Sequence, residues 1–400
     1  MADLWETLGR IGRELYEGAS AASELVPRIG RPSDRVQIVP YRGYGTASEV
    51  RVIARVIEEE SIAAAARTDS AWRNLVHSVK RMESDEVPGA LVRVSVGGAT
   101  MNAATDVEGY IDARVFVDGS LPADIGWHEV SLDLLAEPRG RGKGVRAAAH
   151  VLVPTASARF GVISDIDDTI VRTDVRNLLR MARSVLLTNA HTRLPFPGVA
   201  AFYRALRAGG SGADANPIFY VSQSPWNLYD VLSEYLTIQG IPQGPILLRD
   251  WGRSDRTTIS GGRGTHKRIA IHDILERYPH LPFILIGDSG QEDPEIYREV
   301  VERFPQRVVA IYIRNVTPDP LRATAIAALA AEVEKAGSAL ILADDTMAAA
   351  RHAAEHGWIQ AATLAGIGAE RAHDEAEARR EGEAEEAPTV EVGTEDAGPR

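Results

Sequence analysis

The sequence predicts an α/β chain in which a parallel sheet with helices on both faces follows an all-β, sandwich-like domain. Beyond residue 160, short apolar runs such as 218–222 and 283–287 alternate with stretches of helical periodicity. This alternation is typical of βαβ units, which build a parallel sheet covered on both faces. Upstream, residues 36–153 contain short apolar or alternating runs separated by Gly and Asp turns, a spacing that favours a β-sandwich.

The length of 400 residues predicts two or three domains with extensions at both ends. Leu4, Leu8 and Ile11 recur at helical spacing, which predicts a helix near the N-terminus. The last 31 residues hold eleven acidic and four basic side chains and few large apolar ones, which predicts a solvated, disordered tail. The expected segments are an N-terminal helix (1–30), a β-sandwich-like domain (36–155), an α/β domain (158–316), C-terminal helices (317–368) and the acidic tail (370–400).

The amino-acid composition excludes several classes of protein. The chain has no cysteine, so disulfides, thiolate metal sites and cysteine nucleophiles are ruled out. The net charge of −12 is unfavourable for binding nucleic acid. No apolar run approaches the ~18 residues of a membrane-spanning helix, and the N-terminus lacks the basic start and apolar centre of a signal peptide. We therefore expect a soluble, cytoplasmic protein whose membrane contact, where it occurs, is peripheral.

Three carboxylates follow the apolar run that ends at residue 164. Asp165, Asp167 and Asp168 lie within four positions at a predicted strand end, where they repel one another unless a cation is bound. Parallel sheets bind ligands beyond the carboxyl ends of their strands, and carboxylate oxygens suit Mg²⁺. The alternative is a helix cap or a solvated turn, to which Asp168 and Thr169 would belong. The cluster as a whole predicts a magnesium site.

Further polar groups follow the later apolar runs. Ser222 ends the second run, where its hydroxyl either donates to a phosphoryl oxygen or simply terminates the strand. Lys267 begins an amphipathic helix, where the helix dipole favours anions, so it faces either an anion or the solvent. Asp288 and Asp293 follow the run 283–287 and complete a set of oxygen ligands, although Asp293 would also serve as a plain helix cap.

The order of these motifs resembles the haloacid dehalogenase (HAD) superfamily of phosphotransferases. Its pattern is Asp-x-Asp-x-Thr, then Ser or Thr, then Lys, then an acidic pair, and residues 160–313 match all four positions. The sequences VISDIDDTI at 162–170, YVSQSPWNLY at 220–229 and GDSGQEDPEIY at 287–297 resemble the catalytic domain of the App1 family more specifically. Upstream, YRGYGT at 41–46 is similar to members that join a β-rich domain to this catalytic domain.

The resemblance implies a HAD-like Rossmannoid catalytic domain and Mg²⁺-dependent hydrolysis of phosphatidate to diacylglycerol and phosphate. Asp165 would be the nucleophile, and Asp167 would be the general acid and base. Ser222 and Lys267 would hold the phosphoryl oxygens. The implied Mg²⁺ ligands are the Asp165 side chain, the Asp167 backbone carbonyl and Asp288, with Asp293 nearby or bound through water.

The sequence leaves three functions open. Residues 170–217 separate the first two motifs and contain an apolar stretch at 178–187, which would either cover a lipid phosphate as a lid or pack as a core helix. An apolar lid would suit a phosphatidate phosphatase. A phosphatase for a soluble sugar or nucleotide phosphate would use the same catalytic residues with a narrower entrance. A non-catalytic lipid-binding adaptor is the alternative outside enzymes, and the intact motif residues argue against it.

Overall fold

The first part of the chain forms β-strands. A computed structural model describes residues 35–59, 86–119, 121–140, 144–170, 196–249, 264–316 and 319–386, so the predicted N-terminal helix and the apolar stretch 178–187 lie outside the described residues. The strands before residue 153 are β1 (Arg35–Pro40), β2 (Gly43–Gly45), β3 (Glu49–Glu59), β4 (Leu91–Val96), β5 (Ala99–Ala104), β6 (Tyr110–Phe116), β7 (Trp127–Ala136) and β8 (Arg146–Leu152).

These eight strands surround one apolar core. In β7, Val130, Leu132 and Leu134 are buried while their neighbours face outward, as the period of two requires. The long strand β3 pairs with β1 near its end and with β2 and β6 near its start, which links all eight strands. The hydrogen-bonded order is β1-β3-β2-β8-β7-β4-β5, with β6 on β3. The predicted β-rich region is confirmed. The sequence predicts a sandwich-like arrangement, and in the structure the eight strands are joined in one continuous sheet around a single core.

A second, parallel sheet follows. Its order is β11-β10-β9-β12-β13-β14, and every neighbouring pair is parallel. The strands are β9 (Gly161–Ser164), β10 (Ile218–Pro225), β11 (Ile246–Arg249), β12 (Phe283–Asp288), β13 (Val308–Arg314) and β14 (Ala339–Ala343). The helices described are α1 (Val199–Ala208), α2 (Tyr229–Ile238), α3 (Thr265–Arg277), α4 (Asp293–Arg303), α5 (Pro320–Lys335), α6 (Thr346–Glu355) and α7 (Thr363–Glu386).

Helices cover both faces of the parallel sheet, as the alternation of apolar runs predicts. Consecutive residues of one strand enter different cores: Ile284 packs in a cluster with α1, α2 and α6, whereas Leu285 packs in a cluster with α3, α4 and α5. Strands β9 and β12 are buried along their whole length. This burial explains why they read as continuous apolar runs. No helix among the described residues is both long and apolar enough to cross a bilayer.

The sequence predicts helices over residues 317–368, and the structure contains a strand there as well. Ala339–Ala343 forms β14, which pairs in parallel with β13 and becomes the sixth strand of the sheet. Asp345 then caps α6, because its side chain accepts a hydrogen bond of 2.8 Å from the backbone N–H of Ala348. The sheet therefore extends beyond the boundary at 316 that the sequence motifs indicated.

Helix α7 enters the stretch 370–400 that was predicted to be disordered, and the prediction is corrected as far as Glu386. Two of its acidic side chains bind the N-terminal end of α1: Glu370 accepts from the N–H of Ala201 at 2.7 Å, and Asp374 accepts from the N–H of Gly198 at 2.8 Å. Carboxylates are favourable at that end of a helix dipole. The composition of this stretch gives the number of its charges but does not show that two of them bind the end of another helix.

The β-rich region and the parallel sheet meet at the YRGYG sequence. The ring of Tyr41 contacts Trp226 and Tyr229 with centroid separations of 5.1 and 4.5 Å. The Tyr44 side chain is fully buried in the α3–α5 cluster, and its hydroxyl donates to Asp273 at 2.7 Å. Both anchors come from one short segment, which therefore fixes the β-rich region beside the strand end that carries Ser222.

Glycine is required inside this joint. A Cβ atom on Gly43 would lie 2.1 Å from the carbonyl oxygen of Arg51 on the neighbouring strand, closer than any real contact. A side chain at this position therefore forces the two strands apart.

We expect Gly43→Ala to lower the melting temperature, because overpacking against a backbone atom costs about 1–3 kcal/mol. Gly366→Ala is the control: nothing lies within 4 Å of a Cβ atom there. In helix α7 the added methyl group should stabilise by up to about 1 kcal/mol. Thermal unfolding of the two variants measures the difference, and equal melting temperatures would contradict the close packing of the joint.

Candidate active site

Acidic side chains converge at the carboxyl ends of two neighbouring strands. Asp165 follows β9 directly, Asp288 is the last residue of β12, and Asp293 begins α4. Because β9 and β12 pair in parallel at the centre of the sheet, their ends lie side by side. One carboxylate oxygen from each of these three residues lies within 4.8 Å of the other two. The three acids therefore form one compact group at the edge where parallel sheets bind ligands.

The carboxylate of Asp165 is buried but largely without partners. Its side chain is 0% exposed, and the ammonium of Lys267 lies 2.8 Å from Oδ1. Apart from this ion pair, neither oxygen has a hydrogen-bond partner among the described residues. Lys267 is itself 1% exposed and also binds Oδ1 of Asp293. Free lone pairs on a buried carboxylate call for a further ligand or substrate, because unsatisfied buried acceptors are costly.

Backbone N–H groups hold the carboxylates of Asp288 and Asp293 in place. Oδ1 of Asp288 accepts from the N–H groups of Gly290 and Gln291 at 2.7 and 2.9 Å, and Oδ2 accepts from the side-chain amide of Gln291 at 2.9 Å. Oδ2 of Asp293 accepts from the N–H of Asp288 at 3.2 Å. Gly287 leaves the necessary room, since a Cβ atom there would lie 2.3 Å from that oxygen.

Asp167 is arranged differently from the other acids. Its Oδ2 accepts hydrogen bonds from the hydroxyls of Ser222 and Ser224 at 2.6 and 3.3 Å. Its backbone carbonyl accepts from the amide of Gln291 at 3.2 Å. The carboxylate of Asp167 thus lies outside the group of three, and the hydroxyl of Ser222 is directed at Asp167 in this structure.

Among the described residues, the three grouped carboxylates lie with a single ammonium, that of Lys267, so acidic groups are in excess. Burial raises the pKa of Asp165 well above its ordinary value, against the opposing effect of Lys267. Burial, assisted by the Asp293 carboxylate, raises the pKa of Asp288 to about 7. Burial alone would lower the pKa of Lys267, but the carboxylates of Asp165 and Asp293 hold it above its ordinary range. A divalent cation with oxygen ligands would relieve this imbalance, and the donor set fits one.

Burial also raises the pKa of Asp167, although the hydrogen bond from Ser222 opposes the shift. This residue therefore binds a proton more readily than a solvated carboxylate does. Such a group is suited to donate a proton in a reaction.

The structure brings together, at one edge of the sheet, all the candidate site residues that the sequence indicates: Asp165, Asp167, Ser222, Lys267, Asp288 and Asp293. Sequence reasoning missed Ser224, Gln291 and Gly287 as parts of the site. Each lies inside a quoted motif, but only their contacts with Asp167, Asp288 and Asp293 reveal a role.

The raised pKa of Asp288 gives a pH dependence of stability. An unfolded aspartate releases its proton near pH ~3.9, whereas folded, metal-free Asp288 keeps it up to about pH 7. The folded state binds more protons in this window, so its stability falls as the pH rises. We expect the melting temperature of EDTA-treated protein to fall between about pH 5 and pH 7.5, and to fall less in Asp288→Asn. Asp124→Asn, on an exposed turn, is the control; identical slopes in all three proteins would contradict this account.

Comparison with known proteins is consistent with the motifs. Residues 160–315 match the family model described as "Phosphatidate phosphatase APP1, catalytic domain". The chain is 37% identical over 156 residues to "Phosphatidate phosphatase APP1" of Saccharomyces cerevisiae, covering 39% of this chain and 26% of that protein. It is 26% identical over 314 residues to an uncharacterized protein of Schizosaccharomyces pombe, covering 77% of this chain and 47% of that protein.

The chain thus spans about a quarter and about half of the lengths of these two relatives. Among solved structures, a carbohydrate acetylesterase from Xanthomonas citri matches 74% of this chain and 72% of its own at a TM-score of 0.23 and 11% identity, which is too low to support any argument. All the candidate site residues lie inside the segment 160–315 that matches the App1 catalytic-domain model.

Proposed function

We propose that this chain is a Mg²⁺-dependent phosphomonoester hydrolase that acts on phosphatidate and releases phosphate and diacylglycerol. The observation that carries the proposal is the Asp165 carboxylate, which is buried at a strand end beside Lys267 and has no other partner among the described residues. The family match of residues 160–315 and the name of the yeast relative support phosphatidate as the substrate. The order of the site residues along the parallel sheet supports a HAD-like domain.

Asp165, Asp288 and Asp293 would hold the metal ion, together with the backbone carbonyl of Asp167. When bound, Mg²⁺ supplies positive charge that offsets the repulsion between a phosphate dianion and an anionic nucleophile. The excess of buried carboxylates over ammonium groups supports this assignment. In this structure, the side-chain amide of Gln291 donates to the Asp167 carbonyl oxygen and to Oδ2 of Asp288. It therefore binds two of the residues that would hold the metal ion.

The reaction would begin with attack of an Asp165 oxygen on phosphorus. An aspartyl-phosphate forms as the bond from phosphorus to the glycerol oxygen breaks. Asp167 donates its proton to the leaving oxygen, so that diacylglycerol departs as a neutral alcohol; its raised pKa suits this role. The same group, now ionised, takes a proton from a water molecule that attacks the aspartyl-phosphate, which releases phosphate and restores Asp165.

Lys267 and Ser222 would stabilise the charge on the transferring phosphoryl group. Lys267 is fully buried and stays protonated beside Asp165, so its ammonium is already next to the reacting oxygen. The hydroxyl of Ser222 donates to Asp167 in this structure and would turn to a phosphoryl oxygen when the substrate enters. Preorganised donors of this kind are the main source of catalysis in phosphoryl transfer.

The nucleophile is tested by Asp165→Asn, which keeps the shape of the side chain and removes the attacking carboxylate. We expect phosphate release from phosphatidate in mixed micelles with Mg²⁺ to fall to background while the fold is retained. Asp168→Asn is the matched control: it is the same chemical change three residues away, and Asn tolerates the positive φ of 58° at that position. We expect this variant to keep most of the activity.

The same assay separates the other functions when it includes a panel of soluble phosphomonoesters. Asp165-dependent release only from soluble esters would keep the mechanism and overturn phosphatidate as the substrate. No release from any ester by folded, Mg²⁺-bound protein would favour the non-catalytic adaptor. Equal activity of the wild type and Asp165→Asn would contradict the aspartyl-phosphate mechanism.

The metal site is tested by removal and return of Mg²⁺. We expect EDTA to abolish phosphate release and Mg²⁺ to restore it. Asp293→Asn should need a higher Mg²⁺ concentration for half of its maximal rate, because one anionic oxygen ligand is lost. Asp344→Asn is the control. This exposed acid precedes the α6 cap, accepts a hydrogen bond from the side chain of Asn315 and lies well after the motifs in the sequence. An unchanged Mg²⁺ requirement in Asp293→Asn would exclude that residue as a ligand.

A further inference from the structure

One side chain from outside the matched family segment holds the loop that follows β12. Arg322 lies on α5, beyond residue 315. Its Nε donates to the carbonyl of Ser289 at 2.8 Å, and its Nη2 donates to the carbonyl of Gln291 at 2.8 Å. The guanidinium also forms a two-point ion pair with Glu295 of α4, with Nη2 at 3.0 Å from Oε2. One planar group therefore joins the loop to both helices.

The opposite side of this loop binds Asp288. The peptide unit between Ser289 and Gly290 gives its carbonyl oxygen to Arg322 and its N–H to Oδ1 of Asp288. The unit is thus held between a cation and a carboxylate, an arrangement in which each hydrogen bond strengthens the other. The next N–H, of Gln291, also reaches Asp288.

We propose that Arg322 is a positioning residue for the metal site: it fixes the loop 289–291 so that the Asp288 carboxylate faces Asp165 and Asp293. This inference rests on the proposed function, because it assigns Arg322 a task in binding the Mg²⁺ of that function. Arg322 does not touch the metal ligands' carboxylates itself. It acts through the peptide groups that bind Asp288.

Arginine suits this position better than lysine. The loop offers two carbonyl oxygens and Glu295 offers a carboxylate, and only a planar fork with several fixed N–H groups binds all three together. A lysine ammonium is a point donor that keeps the charge but holds fewer of these partners at once. We therefore expect a graded series of wild type, Arg322→Lys and Arg322→Ala.

The matched control is Arg298→Ala. Arg298 also connects α4 with α5, because it pairs with Glu302 on its own helix and lies 3.7 Å from Glu332 on α5. Like the test variant, this substitution removes a guanidinium between the same two helices, but among the described residues Arg298 makes no hydrogen bond to the loop 289–291. Any general loosening of the helix pair should appear in both variants.

The first measurement is the melting temperature of full-length protein over a range of Mg²⁺ concentrations. Loss of groups that orient a metal ligand typically weakens metal binding about 10–100-fold. We expect Arg322→Ala to raise the apparent dissociation constant for Mg²⁺ about tenfold, Arg322→Lys to lie between it and the wild type, and Arg298→Ala to match the wild type. At saturating Mg²⁺, the kcat of Arg322→Ala should approach that of the wild type, as expected for a residue that only positions a ligand.

The second measurement is hydrogen exchange of the Gly290 and Gln291 amides in metal-free protein. We expect faster exchange in Arg322→Ala than in Arg298→Ala. Should Arg322→Ala fail to fold, Glu295→Gln replaces it; this variant weakens the hold on the guanidinium and should shift both readouts in the same direction by a smaller amount. Unchanged Mg²⁺ affinity and unchanged exchange in these variants would overturn the inference while leaving the proposed function in place. Absence of Mg²⁺ binding by the wild type would instead count against the proposed function, and the exchange readout would still decide whether Arg322 fixes the loop.

Discussion

The balance of charge at the ends of β9 and β12 is the constraint on which the site depends. Asp165, Asp288 and Asp293 are buried together, and the ammonium of Lys267 is the cation that pairs with two of them. Burying carboxylates without compensation is expensive. The protein limits that cost through backbone N–H groups that bind Asp288 and through an ion pair on Asp165, whose other lone pairs have no partner in the described part of the chain. Under the proposed function, this arrangement would hold a cation and an anionic substrate at the same time.

The rest of the structure supports this cluster from several directions. The parallel sheet places two strand ends side by side. In the YRGYG segment of the β-rich region, the ring of Tyr41 packs against Trp226, four residues after Ser222. From the other side, Arg322 of α5 binds the loop behind Asp288. Residues that contact the surroundings of the site therefore lie both before and after the segment 160–315 that the family model covers.

Most of the site was predictable because its residues lie in short motifs directly after apolar runs, and the geometry of a parallel sheet gathers such positions at one edge. Asp165, Asp167, Ser222, Asp288 and Asp293 follow this rule, whereas Lys267 was indicated by its place at the start of helix α3. The roles of Gln291 and Arg322 were not predictable, because each depends on hydrogen bonds to backbone atoms of another segment, and such bonds leave no pattern in the residue types. The same reason explains β14, whose five residues gain their strand conformation by pairing with β13, and helix α7, whose Glu370 accepts a hydrogen bond from the backbone N–H of Ala201 in α1.

The central claim is that Asp165 becomes phosphorylated during turnover. The most direct test is to mix the protein with phosphatidate and Mg²⁺, quench the reaction in acid within its first turnovers, and identify phosphorylated peptides by mass spectrometry. The account predicts a phosphoryl group on the peptide that contains Asp165, which disappears when water is allowed time to hydrolyse it. Phosphate release without any phosphorylated Asp165 peptide, under conditions where a chemically phosphorylated standard survives the quench, would contradict the account.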